Sequence, residues 1–128
     1  MTDSVIHEYR SNPIPHIYIK WEFMVEENLF REGMEKLIEM MKEHKTGKIL
    51  SNVTQLGPLS DEDQAWCVDD WLPRALAVGY TSVANIIAED IFGTMAVDGI
   101  LKNAAEKSPI DMHYFEGEVK ATAWLANL

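Results

Sequence analysis

Alternating apolar and polar residues mark the start of the chain as a β-hairpin. In residues 16–23, the apolar set is Ile17, Ile19, Trp21 and Phe23, and the polar set is His16, Tyr18, Lys20 and Glu22. Val5–Arg10 is a shorter β-type stretch, and the two prolines between the stretches favour a turn. The pattern predicts two paired strands with one buried face.

The pattern changes to a helical period over residues 26–45. Apolar or small residues recur three and four positions apart, at Phe30, Gly33, Met34, Leu37, Ile38 and Met41. This spacing is typical of the single buried stripe of an amphipathic helix. Acidic residues begin the segment, basic residues end it, and Gly47 supplies the C-terminal stop.

The rest of the chain alternates between strands and helices. The predicted strands are residues 48–53, 82–88 and 110–115, and the predicted helices after the 59–79 region are residues 89–107 and 118–128. The second of these strands has the small and β-branched composition of a central strand covered on both faces. The order ββαβαβαβα predicts one α/β domain over residues 1–128. Its mixed, mostly parallel sheet has about five strands, with roughly four helices.

Residues 59–74 begin with a helix-start signal. Ser60 is the predicted N-cap, with Asp63 three positions on as a variant of the capping box. Ser60 is also a candidate for phosphorylation, because a helix N-terminus favours a dianion. Asp61, Glu62 and Asp63 would repel that dianion, so the N-cap is the favoured interpretation.

Pro73 predicts that this helix is interrupted. Proline removes a helical N–H and disfavours the α conformation in the residue before it. The expected interruption lies between Val68 and Pro73, with Asp69 or Asp70 as a second N-cap. Gly79 is expected to end the element.

Two tryptophans and the nearby acids form the candidate ligand or partner surface, which consists of Trp66, Asp69, Asp70 and Trp71. Packing beneath the helix is the favoured interpretation for Trp66. The question stays open for Trp71, because the two indoles do not easily share one helical face. The five acids between residues 61 and 70 lack the alternate spacing and glycine turn of a calcium loop. They are interpreted as helix capping and a solvated face, with docking of a basic partner as the alternative.

Composition narrows the classes of function. The 128 residues carry 21 acidic and 11 Lys or Arg side chains, a net charge of −10. Such a chain repels nucleic acid and anionic lipid surfaces. The single cysteine, Cys67, excludes an internal disulfide and is compatible with the cytoplasm. No secretory signal or membrane-spanning run is recognisable.

No catalytic, metal or cofactor motif stands out. Phosphate-binding glycine loops, dinucleotide fingerprints and serine elbows are absent from the sequence. The four histidines lack zinc-like spacing, and Cys67 has no sequence-level partner that would activate it. The expectation is a protein without enzymatic activity, metal or cofactor.

Several features, taken in order, resemble the SpoIIAA-like group of the STAS and SEC14 (CRAL-TRIO) related domains. They are Trp21, Lys-Ile-Leu at 48–50, Leu-Ser-Asp-Glu-Asp at 59–63, Trp66, Trp-Leu-Pro-Arg at 71–74, Phe115, Ala121 and Trp-Leu at 124–125. The resemblance covers nearly the whole chain and implies a STAS-like, non-enzymatic domain. Anti-sigma-factor antagonists of this group carry a phosphorylated residue in an Asp-Ser-x-Gly-like motif. Residues 51–60 lack that motif, so the partner-switching mechanism is not carried over.

The expected function is therefore a cytoplasmic regulatory or protein-interaction module. The alternative is a carrier or sensor of a lipid or other apolar ligand. It rests on the SEC14-like side of the resemblance and on four methionines in or near the first helix, Met24, Met34, Met40 and Met41.

Self-association is a further expectation. Val5–Arg10 or residues 110–115 should form a sheet edge without a protecting lysine, and Trp71 with Leu72 would add an apolar surface. These features predict a homodimer.

Overall fold

Five strands form one twisted sheet in the computed structural model, which describes residues 5–22, 27–55, 60–88 and 109–128. In sheet order they are β1 (Val5–Arg10), β2 (His16–Trp21), β3 (Lys48–Asn52), β4 (Ser82–Ile86) and β5 (Asp111–Phe115). β1 pairs antiparallel with β2, and the three later pairs are parallel. The predicted mixed, mostly parallel sheet is confirmed. β4 is interior as predicted, and among the described strands β1 and β5 are the two edges.

The helical segments connect these strands. They are α1 (Glu27–His44), α2 (Asp61–Trp66), a π-helical turn (Cys67–Trp71), α3 (Leu72–Ala77) and α4 (Glu118–Ala126). The predicted first and last helices are thereby confirmed. The predicted helix over residues 89–107 lies outside the described residues. No helix in the described part of the chain combines the length and apolar character needed to cross a bilayer.

β2 is buried on both faces, which corrects the prediction of a hairpin with one buried face. Ile17 and Ile19 belong to the core that α1 covers. Tyr18, predicted to face outward, packs with Leu50 and Leu125 in a second cluster on the opposite side. The reason is tertiary: α4 covers that side of the sheet, and alternation within one strand does not reveal a helix about 100 residues away in the chain.

The two clusters make a three-layer domain. The larger one lies between the sheet and the layer formed by α1, the π-helical turn and α3, and it includes Phe30, Leu37, Met41 and Trp71. The smaller one lies between the other sheet face and α4. Side chains at successive strand positions point alternately into the larger and the smaller cluster. The central strands therefore carry apolar residues at both odd and even positions.

Gly47 brings the ends of α1 and α3 together at the amino ends of β3 and β4. A Cβ atom on Gly47 would lie 1.7 Å from the carbonyl oxygen of Gly79, so no larger residue fits there. The Gly47 carbonyl accepts hydrogen bonds from the N–H groups of Thr81 and Ser82, at 2.9 and 3.1 Å. Gly79 has a φ of 102°, as expected for the glycine that ends a helix.

Candidate functional site

The 60–78 region begins with the predicted N-cap. Ser60 has an extended backbone conformation, and its Oγ accepts a hydrogen bond from the Asp63 N–H at 3.1 Å. This bond satisfies one of the free donors of the first turn of α2. Ser60 is exposed, with the carboxylates of Asp61 and Glu62 beside it in the sequence.

The predicted interruption is present, but its form differs from the prediction. The Leu72 N–H donates to the Cys67 carbonyl, five residues back, and Trp66, Trp71 and Leu72 all keep right-handed helical dihedral angles. A second N-cap at Asp69 or Asp70 is therefore wrong. The helix widens for one turn and then continues. Pro73 lies in the first turn of α3, a position that tolerates its missing N–H.

The π-helical turn allows Trp66 and Trp71 to face the same neighbour. In an α-helix, residues five positions apart point about 140° away from each other. An i→i+5 turn brings such residues nearly into line along the axis. Trp66 packs edge-on against Phe30 of α1, with ring centroids 6.3 Å apart, and the Arg31 guanidinium lies 5.2 Å from its ring centre.

Trp71 is only 4% exposed, so it is not part of an accessible surface. Its Nε1 donates a hydrogen bond to the Met34 carbonyl of α1 at 2.7 Å, and its ring meets Tyr80 edge-on at 5.4 Å. The expectation that Trp71 and Leu72 form an exposed apolar surface is therefore wrong for Trp71. Of the two interpretations left open for Trp71, a partner surface or packing beneath the helix, the second is correct.

Two of the five acids form ion pairs with arginines, Asp63 with Arg31 of α1 and Asp70 with Arg74. The Arg31 Nε lies 3.0 Å from the Oδ1 of Asp63, whose side chain is 6% exposed. Arg74 donates to both Glu35 carboxylate oxygens at 2.6 Å and to the Asp70 Oδ2 at 2.8 Å. The hydrogen bonds from Arg74 to Glu35 hold the pKa of the Glu35 carboxyl below its usual range, although the Asp70 charge acts in the opposite direction. The interpretation of the acids as a purely solvated face is thus wrong for Asp63.

The opposite side of this helical region forms an accessible surface, which we call the outer face. Its exposed apolar members are Val68, 63% exposed, and Leu76, 41% exposed. Leu72 lies between them in the sequence and is half-buried, because part of its side chain packs against the larger core cluster. Its acidic members are Asp61, Glu62 and Asp69, which form no ion pair within the described part of the chain. The sequence pattern marks Asp69 but not Val68 and Leu76, because the exposure of these two residues depends on which side of the helix faces α1.

Cys67 lies half-buried in the π-helical turn. Burial raises the pKa of its thiol to about 11, and the nearby Asp63 charge acts in the same direction. The thiol is therefore protonated at neutral pH, which disfavours nucleophilic chemistry. The described residues contain no group of three or more His, Cys, Asp or Glu side chains placed to hold a metal ion.

The histidines have separate structural contacts. The His7 Nε2 donates to the Gly33 carbonyl of α1 at 2.9 Å, and His44 stacks on Tyr9 with ring centroids 3.9 Å apart. The His16 Nδ1 donates to the Ile14 carbonyl at 2.7 Å, while its buried Nε2 has no partner among the described residues. The His113 ring packs on Trp124 at 4.8 Å. The fold thus gives these histidines packing roles and brings them into no common site.

Two open pockets share Thr81 at the amino ends of the parallel strands. One, of about 370 Å³, includes Lys45 and Lys48 in its lining, and the other, of about 350 Å³, includes Asp111 and His113. Open α/β sheets usually bind ligands at the opposite, carboxyl edge. The C-terminal ends of α1 and α3 lie near the wall that the two pockets share. Because the C-terminus of a helix has a partial negative charge, an anion is disfavoured in these pockets. Neither pocket contains a residue of the candidate surface.

A structural comparison identifies the architecture. A solved structure of an uncharacterised protein of the DUF3478 family with a SpoIIAA-like fold, from Shewanella loihica PV-4, superposes with a TM-score of 0.66. The match covers 98% of each chain at 21% sequence identity. This chain has a SpoIIAA-like fold.

The SpoIIAA-like part of the predicted resemblance is therefore confirmed at the level of the fold. No model of a known protein family matches the chain, and no functionally curated protein matches it. A SpoIIAA-like fold can present many different surfaces, so its function must be argued from the residues that this chain exposes.

Proposed function

We propose that this SpoIIAA-like domain is a non-catalytic, cytoplasmic regulatory module that binds a protein partner through the outer face. The observation that carries the proposal is the exposure of two large apolar side chains on this helical region, Val68 at 63% and Leu76 at 41%. Scattered exposed apolar residues are common on protein surfaces. Val68 is not isolated, however, because Leu72 and Leu76 follow at intervals of four residues. An apolar strip with a polar rim is typical of interaction sites.

The attachment of this region to α1 supports the same function. Two ion pairs and one hydrogen bond join it to α1. They are Asp63–Arg31, Arg74–Glu35 and the bond from Trp71 to the Met34 carbonyl. These contacts fix the orientation of the outer face before a partner arrives. Such preorganisation lowers the entropic cost of association. π-helical turns also occur frequently at functional sites, which supports a role for this one.

The candidate residues have different roles in this proposal. Asp69 belongs to the outer face. Trp66 and Trp71 attach the helix to α1, and the exposed Asp70 pairs with Arg74. Phosphorylation of Ser60 stays a prediction, and it would add negative charge at one end of the outer face. Twofold pairing through the β1 or β5 edge also stays a prediction and would leave the outer face accessible.

The alternative function, a carrier or sensor of an apolar ligand, gains no specific support from the described residues. Met41 is fully buried in the larger core cluster, and Met34 and Met40 pack against it. These methionines therefore fill the core, which is the ordinary role of the residue. Met24 lies outside the described residues.

Site-specific crosslinking tests the proposed function. A photoreactive amino acid is placed at position 68 of the full chain, and a matched one at position 119 of α4, where Val119 is 84% exposed. After irradiation in the native cells, we expect a discrete adduct from position 68 that position 119 does not give. The crosslinked protein, once purified, should bind the unmodified chain and bind Leu76→Ser more weakly. Identical adducts from both positions, or no adduct from position 68, would refute the proposal.

A further inference from the structure

We infer that the partner segment on the outer face is a basic amphipathic helix; this inference rests on the proposed function above. The shape of the apolar strip is the first argument. Val68, Leu72 and Leu76 lie one helical turn apart and extend over about 12 Å. A ridge of side chains spaced by four residues fits the groove on the surface of another helix. A helix with apolar residues at i, i+4 and i+7 would cover it.

A β-strand partner fits this surface less well. Strand addition depends on a row of unpaired backbone N–H and C=O groups at a sheet edge. The outer face is helical from Asp61 to Ala77, so it presents no strand edge with a row of unpaired backbone groups. Binding here must therefore come from side-chain contacts, as in helix-on-helix packing.

Charge specifies the class of helix. Asp61, Glu62 and Asp69 are exposed carboxylates without an ion pair in the described part of the chain. The two arginines of this layer are engaged, Arg31 with Asp63 and Arg74 with Glu35 and Asp70. Within residues 5–22, 27–55, 60–88 and 109–128, the outer face thus presents negative charge that no ion pair compensates. Lysine or arginine on the partner would compensate these carboxylates on binding, whereas an acidic partner would bury like charges together.

A second copy of the chain is a poor occupant of this face for the same reason. Twofold symmetry places the same patch on both sides of an interface. Asp61, Glu62 and Asp69 would then approach their own copies, and the two arginines described in this layer are already paired with other carboxylates. The overall charge of −10 adds to this repulsion and would accelerate the approach of a basic partner.

Three synthetic 18-residue peptides serve as probes, each with a fluorescent label. The first has leucines at positions i, i+4, i+7 and i+11, and lysine is its only charged residue type. The second keeps the leucines and replaces the lysines with glutamates. The third keeps the lysines and replaces the leucines with serines. Binding to the full chain is measured by fluorescence anisotropy, and the site is mapped by NMR chemical-shift changes.

We expect the leucine–lysine peptide to bind with its largest shift changes at Val68, Asp69 and Leu76. Combined Val68→Ser and Leu76→Ser should weaken binding roughly tenfold or more, because the apolar contacts are lost. Asp69→Asn should weaken it about threefold and reduce its salt dependence. The matched controls are Val119→Ser on α4 and Glu39→Gln on the exposed side of α1, both of which should bind like the unmodified chain. Far-UV circular dichroism confirms that each variant is folded.

The contrary outcomes separate the inference from the proposed function. Equal binding of the leucine–glutamate peptide at the same residues would refute a basic partner but leave the outer face as a protein-binding surface. Equal binding of the leucine-free lysine peptide would show bulk charge attraction and refute the helix-packing inference. A dimer that dissociates in the Val68→Ser, Leu76→Ser variant would make the second copy the occupant and refute the inference. Absence of binding by every peptide would also refute it, while position-68 crosslinking tests the proposed function independently.

Discussion

The indole nitrogen of Trp71 donates a hydrogen bond to the main-chain carbonyl of Met34 across 2.7 Å. Met34 lies in the interior of α1, and a carbonyl oxygen can accept both a helical hydrogen bond and a second one from a side chain. This contact ties the π-helical turn to α1 at a buried point. It also determines which side of the α2–α3 region faces outward, and therefore which residues can meet a partner.

Replacing Trp71 with phenylalanine should destabilise the protein. The variant loses the bond to Met34 and part of the buried ring, which we expect to lower the free energy of unfolding by about 1–3 kcal/mol. Trp66→Phe is the matched control, because Trp66 is only partly buried and a phenyl ring retains its contact with Phe30. Urea unfolding measures both variants. Equal losses would show that the Trp71 hydrogen bond does not anchor the turn.

Gly33 should not tolerate a side chain. A Cβ atom there would lie 2.7 Å from the Cη2 of Trp21, whose ring is buried against α1. We expect Gly33→Ala to lower the free energy of unfolding by about 1–3 kcal/mol, despite the higher helix propensity of alanine. Glu39→Ala is the control, since Glu39 is an exposed residue of the same helix. Thermal and urea unfolding compare the two, and a Gly33→Ala variant as stable as the unmodified protein would contradict the packing.

The Cys67 thiol should react slowly with alkylating agents. Its pKa is raised from 9.0 to about 11 by burial, so its thiolate population at pH 8 is roughly 100-fold below that of a free thiol. Mass spectrometry of iodoacetamide modification should show a correspondingly slow rate in the native protein and a peptide-like rate in urea. Because the unfolded thiol ionises first, stability should fall as the pH rises above 9. Peptide-like reactivity of the native protein would contradict this prediction.

His7 should make the protein less stable in mild acid. Burial lowers the pKa of His7 below 6.5; the hydrogen bond to the Gly33 carbonyl acts in the opposite direction, and the charge of Lys36 adds to the lowering. The unfolded chain then takes up a proton more readily, so the stability linked to His7 is full above pH 6.5 and is lost as the pH falls below it. His7→Gln keeps an N–H donor but does not titrate. Unfolding free energies between pH 7.5 and 5 should therefore fall less steeply in the variant, and parallel curves would exclude this role.

Local sequence signals were sufficient for most individual elements. The three–four spacing of α1, the Ser60 cap and the Gly79 stop depend on residues within a few positions of one another, and each is observed. The small and β-branched composition of β4 likewise predicted its interior position. Such features follow from backbone sterics and hydrogen bonding over a single turn or strand. They depend on residues that are close together in the sequence, so local patterns are enough to predict them.

The candidate site was predictable only in part. The sequence marked Trp66, Asp69, Asp70 and Trp71 as unusual and placed an interruption before Pro73. It could not show that both indoles face α1, Trp71 buried and Trp66 partly buried. An α-helical period places residues five apart on different sides, whereas a π-helical turn brings them closer to one side.

Only tertiary structure decided what these residues can contact. Whether Asp63 is paired depends on Arg31, 32 positions away, and whether Asp70 is free depends on Arg74 and its bond to Glu35, 39 positions from Arg74. The burial of both faces of β2 depends on α4, far along the chain. The sequence thus determined the elements and their order, since those follow from local periodicity. The assembled layers determined the outer face, since exposure and charge pairing are properties of neighbours that the chain brings together only on folding.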